Sequence, residues 1–349
     1  NAETLLGGEG LTGGGINQKT KGKKKRDKGR RKNPAKVDQY TKASVGDAFN
    51  TAKPEVSTAA NKIGAEVKTK YKGVAGLYKL YKALKTKQIT AIADLHNVIR
   101  SKVLLSFFRL RGSQTAQIDK GRAEKKALTR ETDKVFKPLK TTHQRYADVF
   151  EALGFPLQLK GDELLPKRKL NDTIQKAIGQ EPYKWLGFAP FAAHEGKKYP
   201  LALVDQVLSA LNEKPLKIIL FGGGKEEEQL LNSFAAKYEN CINVAGKFSF
   251  KEELALISHL DAMLAMDSGN GHMAALFGVP VVTLWGVTHP YLGFAPYGQP
   301  EKNQLTADRK QFPAIPTSAY GNKVPEGYER AMHSIQPETV LKRLSAILD

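Results

Sequence analysis

The sequence predicts an α/β protein with parallel, doubly wound sheets in two domains, and three features carry that reading. From residue 73 onward short apolar runs alternate with helical patterns, and most runs end in Gly or a polar residue. The chain has 349 residues, 41% of them hydrophobic, enough for two cores of ordinary size. In such sheets ligands gather at the carboxyl ends of the strands.

The elements follow in order. Residues 1–66 alternate Gly, Lys, Thr and Ala without a strand or helix period, so no fold is assigned to them and "KTKGKKKRDKGRRK" (19–32) is expected to be disordered. "GEGLTG" (8–13) satisfies G-x-G-x-x-G literally, but too little chain precedes it for the strand that a dinucleotide site needs. Next, "GVAGLYKLYKALKTKQ" reads as a helix, "ITAIADLH" as a buried strand, and "NVIRSKVLLSFFRLRG" as a helix closed by Gly112. In the second half "KWLGFAPFAAH", "PLKIILFGGG", "NCINVAG", "AMLAMD" and "VPVVTLWG" read as strands. Between them lie the helical "PLALVDQVLSALNEK", "KEELALISHL" and "GHMAALFG", and "QPETVLKRLSAILD" near the end reads as a capped helix.

Charge is distributed unevenly. Residues 1–66 hold 14 Lys/Arg against 7 Asp/Glu, residues 67–145 hold 20 against 5, and residues 146–349 hold 21 against 23, so the net +20 lies before residue 146. A basic half facing an anionic partner is expected: nucleic acid, an anionic membrane surface or a phosphorylated glycolipid. No run approaches eighteen apolar residues and no secretory signal order is visible, which predicts a soluble cytoplasmic chain. Cys241 is the sole cysteine, which excludes a disulfide framework and a thiolate zinc site.

The richest stretch is "AMDSGNGHMAALFGVPVVTLWGVTHP" (265–290). Read physically, "AMLAM" is a strand, "DSGNG" its exit loop and "HMAALFG" a short helix, so the loop lies at a helix N-terminus, where N–H donors and the dipole favour a phosphate. Gly269 and Gly271 allow close approach to a ligand, Asp267 and Ser268 can cap the helix, and His272 can donate to a phosphate oxygen. The spacing fits equally well with Asp267 and Ser268 as plain caps and His272 as a satisfied group.

"DSGNGHMAALFGVPVVTLWGVTHPYLGFAPYG" resembles the nucleotide-sugar-binding region of glycosyltransferase family 9, the lipopolysaccharide ADP-heptose heptosyltransferases. "GFAPFAAHEGKKYP", "LFGGGKEEEQL", "ADLHNVIRSK", "DKGRAEKKALTR" and "HQRYADVFEALG" resemble further family segments, so the likeness covers residues 67–349. It implies a GT-B enzyme with two Rossmann-like domains facing a cleft, the N-terminal one incomplete here. The implied division is 67–180 for the acceptor-side domain, 181–330 for the nucleotide-sugar domain and 331–349 for a C-terminal helix near the domain junction. The implied reaction is inverting and metal-independent: a heptose moves from ADP-heptose to the inner core of lipopolysaccharide, with no cofactor. The chain contains no Asp-x-Asp pair to hold a divalent cation, which agrees. Implied partners are the nucleotide sugar, an anionic lipid A/Kdo acceptor and, peripherally, the cytoplasmic face of the inner membrane.

Carried over by position, Asp267, Ser268, Gly269 and His272 would hold the diphosphate, and Lys197 would stabilise the leaving charge. Gly222, Gly223 and Gly224 would let the chain pass close to the nucleotide, and Glu226 is the nearest carboxylate for its ribose. Gly286, Thr288 and Pro290 match the turn closing the pocket, with His289 where an acidic residue is common. On the acceptor side, Asp94, His96, Arg100 and Ser101 end a strand facing the cleft, and Arg122 and Arg145 would bind acceptor carboxylates. Asp94 is grouped with Lys197 among the catalytic residues.

One part departs from the family pattern. Its members open with an Arg-x-Ser-x-x-Gly-Asp loop whose Asp is the general base; here "KASVGDAFNT" (42–51) is a partial echo and Asp47 the candidate. Lys70 follows only 23 positions later, too soon for the strand-helix units expected there, so residues 1–66 are expected to be foreign to the enzyme. Two other readings stand beside the transferase. A nucleic-acid or polyanion binder would use the basic half, but nucleic acid is disfavoured because the 19–32 run contains no aromatic for base stacking. A nucleotide-sugar epimerase of the same plan explains the phosphate loop but not "ADLHNVIRSK".

Overall fold

A computed structural model describes residues 71–179 and 181–349; Asp47 and the 1–66 segment lie outside them. The first domain has two parallel strands, β1 (Ala91–Asp94) and β2 (Gln114–Gln117), registered from Ala91 opposite Gln114 to Asp94 opposite Gln117. On one face α1 (Gly73–Lys85) and α2 (Ile99–Arg109) bury Leu77, Leu80, Leu104, Leu105 and Phe108 around Ile92. On the other, α4 (Thr142–Glu151) places Val149 with Ala116 and Ile118. Between them in sequence lies α3 (Arg122–Thr129).

The second domain is a six-stranded parallel sheet of β3 (Lys184–Ala189), β4 (Leu216–Leu220), β5 (Cys241–Asn243), β6 (Ala262–Met266), β7 (Val281–Trp285) and β8 (Gln304–Thr306). Its order is β5-β4-β3-β6-β7-β8, the doubly wound order in which the chain reverses direction between β3 and β6. β4, β6 and β7 are buried at every position, as expected for parallel strands covered by helices on both faces. The covering helices are α6 (Leu201–Asn212), α7 (Lys225–Lys237), α8 (Phe250–Ile257), α9 (Gly269–Leu276) and α10 (Pro337–Leu348). α6 buries Val204, Val207, Leu208 and Leu211, one stripe at helical spacing.

The structure refines four expectations. β2 and β8 were not read as strands, because "QTAQ" and "QLT" are short, polar and only partly buried. α5 (Asp172–Ile178), placed before the junction at residue 180, buries Ile174 and Ile178 in the second domain's core, and Leu165 N donates to Leu276 O at 2.7 Å. The final helix begins on Pro337 with no side-chain cap, because the side chain of its N-cap residue Gln336 turns back and donates Nε2 to His333 O, and it packs against α6, β6 and β7. Cys241 is buried, and burial pushes its thiol up to about 12.

The domains are sewn together by residues 128–142. Leu128 and Leu139 share a small core with Leu292, Leu139 N donates to Tyr291 O at 2.9 Å, and Thr142 N donates to Gly293 O at 2.8 Å.

Candidate active site

The switch point between β3 and β6 fixes where chemistry assembles, because the loops leaving these neighbours open a crevice. Beyond β3 the chain turns through a 3-10 segment, Glu195–Lys197, that sends Lys197 back across the crevice. Lys197 Nζ donates to Asp267 Oδ2, at the exit of β6, over 3.1 Å, and the side chains are only 13% and 9% exposed. A nearly buried lysine is thus placed against a carboxylate in the crevice, where an incoming polyanion would meet it.

Two glycines make this placement possible. Val287 N donates to Gly196 O at 2.9 Å, and a Cβ on Gly286 would lie 2.2 Å from that same carbonyl oxygen. Gly321, at φ +80, presses on the lysine stem, so a Cβ there would lie 2.5 Å from Lys197 Cγ. Ser318 Oγ locks this second turn by accepting from Tyr320 N and Gly321 N.

Next to Asp267, Ser268 Oγ is buried, as is Thr288 Oγ1 just beyond Gly286, and neither has a hydrogen-bond partner among the described residues. Buried hydroxyls without partners are rare in folded proteins, and both sit at predicted donor positions. The capping expectation is corrected: Ser268 is the N-cap of α9 but makes no side-chain cap bond, and Asp267 is engaged by Lys197 instead. His272 lies in the first turn of α9; burial pushes its pKa down, Asp267 acts against this and Lys197 with it. His194 is shifted down likewise, by burial and then Lys197, against Asp267.

His194 was not singled out from sequence, and neither was His143 on α4. Burial, then His272, brings His143 down to about 4, and its ring centroid lies 5.0 Å from that of Tyr297. The first domain therefore sets an imidazole against Tyr297 of the second, within electrostatic range of His272. Its sequence signal was the quoted "HQRYADVFEALG", but a His beside an Arg drew attention to the Arg.

On the β4 side, Gly222 lies so close to α7 that a Cβ would meet Leu231 Cδ1 at 2.9 Å, and Gly224 begins that helix at φ +93. Gly223 N donates to Glu227 Oε2 at 2.7 Å. Glu226, the sequence candidate for the ribose, is exposed, whereas a Cβ on Gly246 beyond β5 would lie 3.6 Å from Glu228 Oε2. Helical spacing explains the difference, since residues 226 and 228 face different sides of α7.

Three of the predicted acceptor-side residues are bonded within the fold. Asp94 is 3% exposed; its Oδ1 accepts from His96 N and Asn97 N, and its Oδ2 from Gln117 Nε2 at 2.6 Å. Burial works to raise its pKa, but the hydrogen bonds from Gln117, Ser101, Asn97 and His96 outweigh it and hold the carboxyl below the usual range. Ser101 closes the start of α2, accepting from Val98 N and donating to Val98 O. Arg145 is 4% exposed and donates to Glu124 Oε2, Asp119 O and Lys140 O. These three residues hold loops in place, because buried polar groups must find partners within the chain. Arg122 is exposed at the start of α3; His96 and Arg100 are partly buried beyond β1. His289 Nδ1 accepts from Tyr291 N, and burial followed by Arg309 brings its ring down to about 4.

Comparison with known proteins places this geometry. The family model described as glycosyltransferase family 9 (heptosyltransferase) matches residues 77–321. The chain belongs to that family. Its solved relatives include the E. coli heptosyltransferase WaaC with ADP, at TM-score 0.51 and 16% identity over 78% of this chain and 77% of that one. A family 9 glycosyl transferase from Veillonella parvula superposes at TM-score 0.56, with 19% identity over 79% and 78% of the two chains. These likenesses support the two-domain GT-B fold. Among curated proteins, Lipooligosaccharide heptosyltransferase 2 of Haemophilus ducreyi is 29% identical over 204 residues, 56% of each chain. Lipopolysaccharide heptosyltransferase 2 of Escherichia coli is 27% identical over 200 residues, 53% of this chain and 56% of that one. The chain spans about half the length of the curated relatives it matches first, 49% and 56%.

Proposed function

We propose that this family 9 member transfers a heptose from ADP-heptose to the inner core of lipopolysaccharide, inverting the anomeric centre without a metal ion or cofactor. The observation that carries the reading is the Lys197–Asp267 pair at the sheet's switch point, with the neighbouring Ser268 hydroxyl and that of Thr288 beyond β7 buried and unpartnered among the described residues. In this reading the donor's diphosphate lies against Lys197, Ser268 and the start of α9. An acceptor hydroxyl attacks the anomeric carbon from the face opposite the diphosphate. The bond from that carbon to the phosphate oxygen breaks, and the electron pair goes to the oxygen, where the Lys197 ammonium and the helix dipole stabilise it. Asp47 is the candidate to take the acceptor proton, and it lies outside the described residues. His272 and His194, neutral by burial, can donate to phosphate oxygens without adding repulsion to Lys197.

The acceptor-side charge supports an anionic glycolipid, since residues 67–145 hold 20 Lys/Arg against 5 Asp/Glu. Among the described residues no helix is long and apolar enough to cross a membrane, so the membrane contact proposed is peripheral, at the cytoplasmic face. Calorimetric titration with ADP, followed by transfer assays with ADP-heptose and Kdo-lipid A, tests the reading. Binding of ADP that disappears in Lys197→Ala, with heptosylated product of inverted anomeric configuration, is the expected result. No binding at millimolar ADP would overturn it.

A further inference from the structure

The two domains meet along α3 and the chain after β7, and an aromatic pair lines this seam. Phe294 and Ala319 pack on the core of Leu128, Leu139 and Leu292, which fixes Phe294 between the domains. Lys125 Nζ stands over the Phe294 ring, 4.1 Å from its centroid, and the Tyr320 ring lies 6.2 Å from Phe294 at a tilt of 34°. Tyr320 is 61% exposed, yet its backbone is held by Ser318 Oγ, and the next residue, Gly321, presses on the stem of Lys197. A single exposed aromatic is ordinary on a protein surface. An exposed ring on an anchored turn, next to the glycine that meets the Lys197 stem and with a second ammonium across an aromatic neighbour, is a different arrangement.

Among the described residues no carboxylate forms an ion pair with Lys125. Glu124 is committed to Arg145 and Asp119 Oδ1 to Gly121 N, and Lys125 makes no ion pair with a described residue. Burial, then Arg145 and Lys120, set against Glu124 and Asp119, brings its amine down to about 8. An anion arriving there would relieve the repulsion from the two neighbouring cations. A flat aromatic face accepts the apolar face of a sugar ring, and an ammonium accepts a carboxylate or phosphate.

We propose that Tyr320 and Lys125 form an acceptor subsite for an anionic sugar, its ring against Tyr320 and its carboxylate or phosphate against the Lys125 ammonium. The assignment rests on the transferase reading above, and it names specificity-determining residues that the sequence left unmarked.

Saturation-transfer NMR on the full chain tests it, with Kdo as the carboxylate probe, mannose 6-phosphate as the phosphate probe and methyl mannoside as the neutral one. The wild type is expected to saturate ring protons of one or both anionic sugars and not those of methyl mannoside; the stronger anion identifies the acceptor's charged group. Tyr320→Ala is expected to weaken that signal about fivefold, the scale of one lost ring contact, while Tyr320→Phe keeps it. Lys125→Met is expected to abolish the preference for the anion. Calorimetry with ADP on the same variants is expected to match the wild type, showing an intact fold. Signals unchanged in both variants, or absent from the wild type, would overturn the subsite. Failure of the wild type to bind ADP would instead count against the transferase reading, so the two failures are separable.

Discussion

Lys197 Nζ lies 3.1 Å from Asp267 Oδ2 across 70 positions of sequence, and the two residues leave adjacent strands at the point where the sheet reverses its winding. Neither side chain reaches water freely, so each serves as the other's polar partner. The pair thereby holds the Lys197 side chain in place at the exit of β6.

Removing one partner should therefore cost both stability and function. Asp267→Ala leaves a nearly buried ammonium unpaired, with an expected loss of about 3–5 kcal/mol. Thermal melting should show the loss, and calorimetry a collapse of ADP affinity. The double variant Asp267→Leu with Lys197→Met should regain much of the melting temperature but no transferase activity. If the double variant melts as low as the single one, the two charges are not coupled as the geometry requires.

Gly286→Ala tests the docking of the lysine turn. Its Cβ would lie 2.2 Å from Gly196 O, a backbone atom that cannot move aside alone. We expect a loss of about 1–3 kcal/mol from overpacking, together with a fall in turnover larger than that stability loss explains, because Lys197 is displaced. A melting temperature and turnover equal to wild type would contradict the tight approach.

Stability should fall as the solution is acidified from pH 7 to 5. His143 and His289 both titrate at about 4 in the folded chain, against about 6.5 when unfolded. Between these values the unfolded chain binds more protons, so stability rises with pH in that window and is fully present above it. His143→Gln and His289→Gln should each flatten the dependence of melting temperature on pH over this range. A profile unchanged in the double variant would assign the acid sensitivity to other groups.

Arg145 and Arg122 should separate cleanly. Arg145→Ala deletes a buried guanidinium that ties Glu124, Asp119 and Lys140 together, with an expected cost of about 3–5 kcal/mol and little selective effect on acceptor affinity in whatever folds. Arg122→Ala, on an exposed first turn, should shift stability by less than about 0.5 kcal/mol and raise the KM for Kdo-lipid A alone. The reverse pattern would restore Arg145 to the acceptor site.

Much of the second domain was legible because its strands are buried on both faces. "LKIIL", "AMLAM" and "VVTLW" are apolar but for Lys217 and Thr283, and each ends where the observed strand ends, within a residue or two. The donor loop was legible for a related reason, since "DSGNGH" follows such a strand and opens a helix, which places it at the phosphate end of a strand-helix unit. The polar edge strands β2 and β8 carried no such signal. On the acceptor side, Asp94, Ser101 and Arg145 are the residue types that bind anions and sugars and also the types that close turns and tie loops, and the structure shows them bonded internally.

By itself the sequence determined the alternation of strands and helices, the basic first half and the loop around Asp267, because periodicity, net charge and helix-start chemistry are local properties of the chain. Only the tertiary structure decided which polar groups spend their hydrogen bonds inside the fold and which keep them for a ligand. Pairings such as Lys197 with Asp267, Arg145 with Glu124 and Lys125 with Phe294 depend on the sheet order and the domain seam, which bring distant segments together and exclude the water that would otherwise serve them.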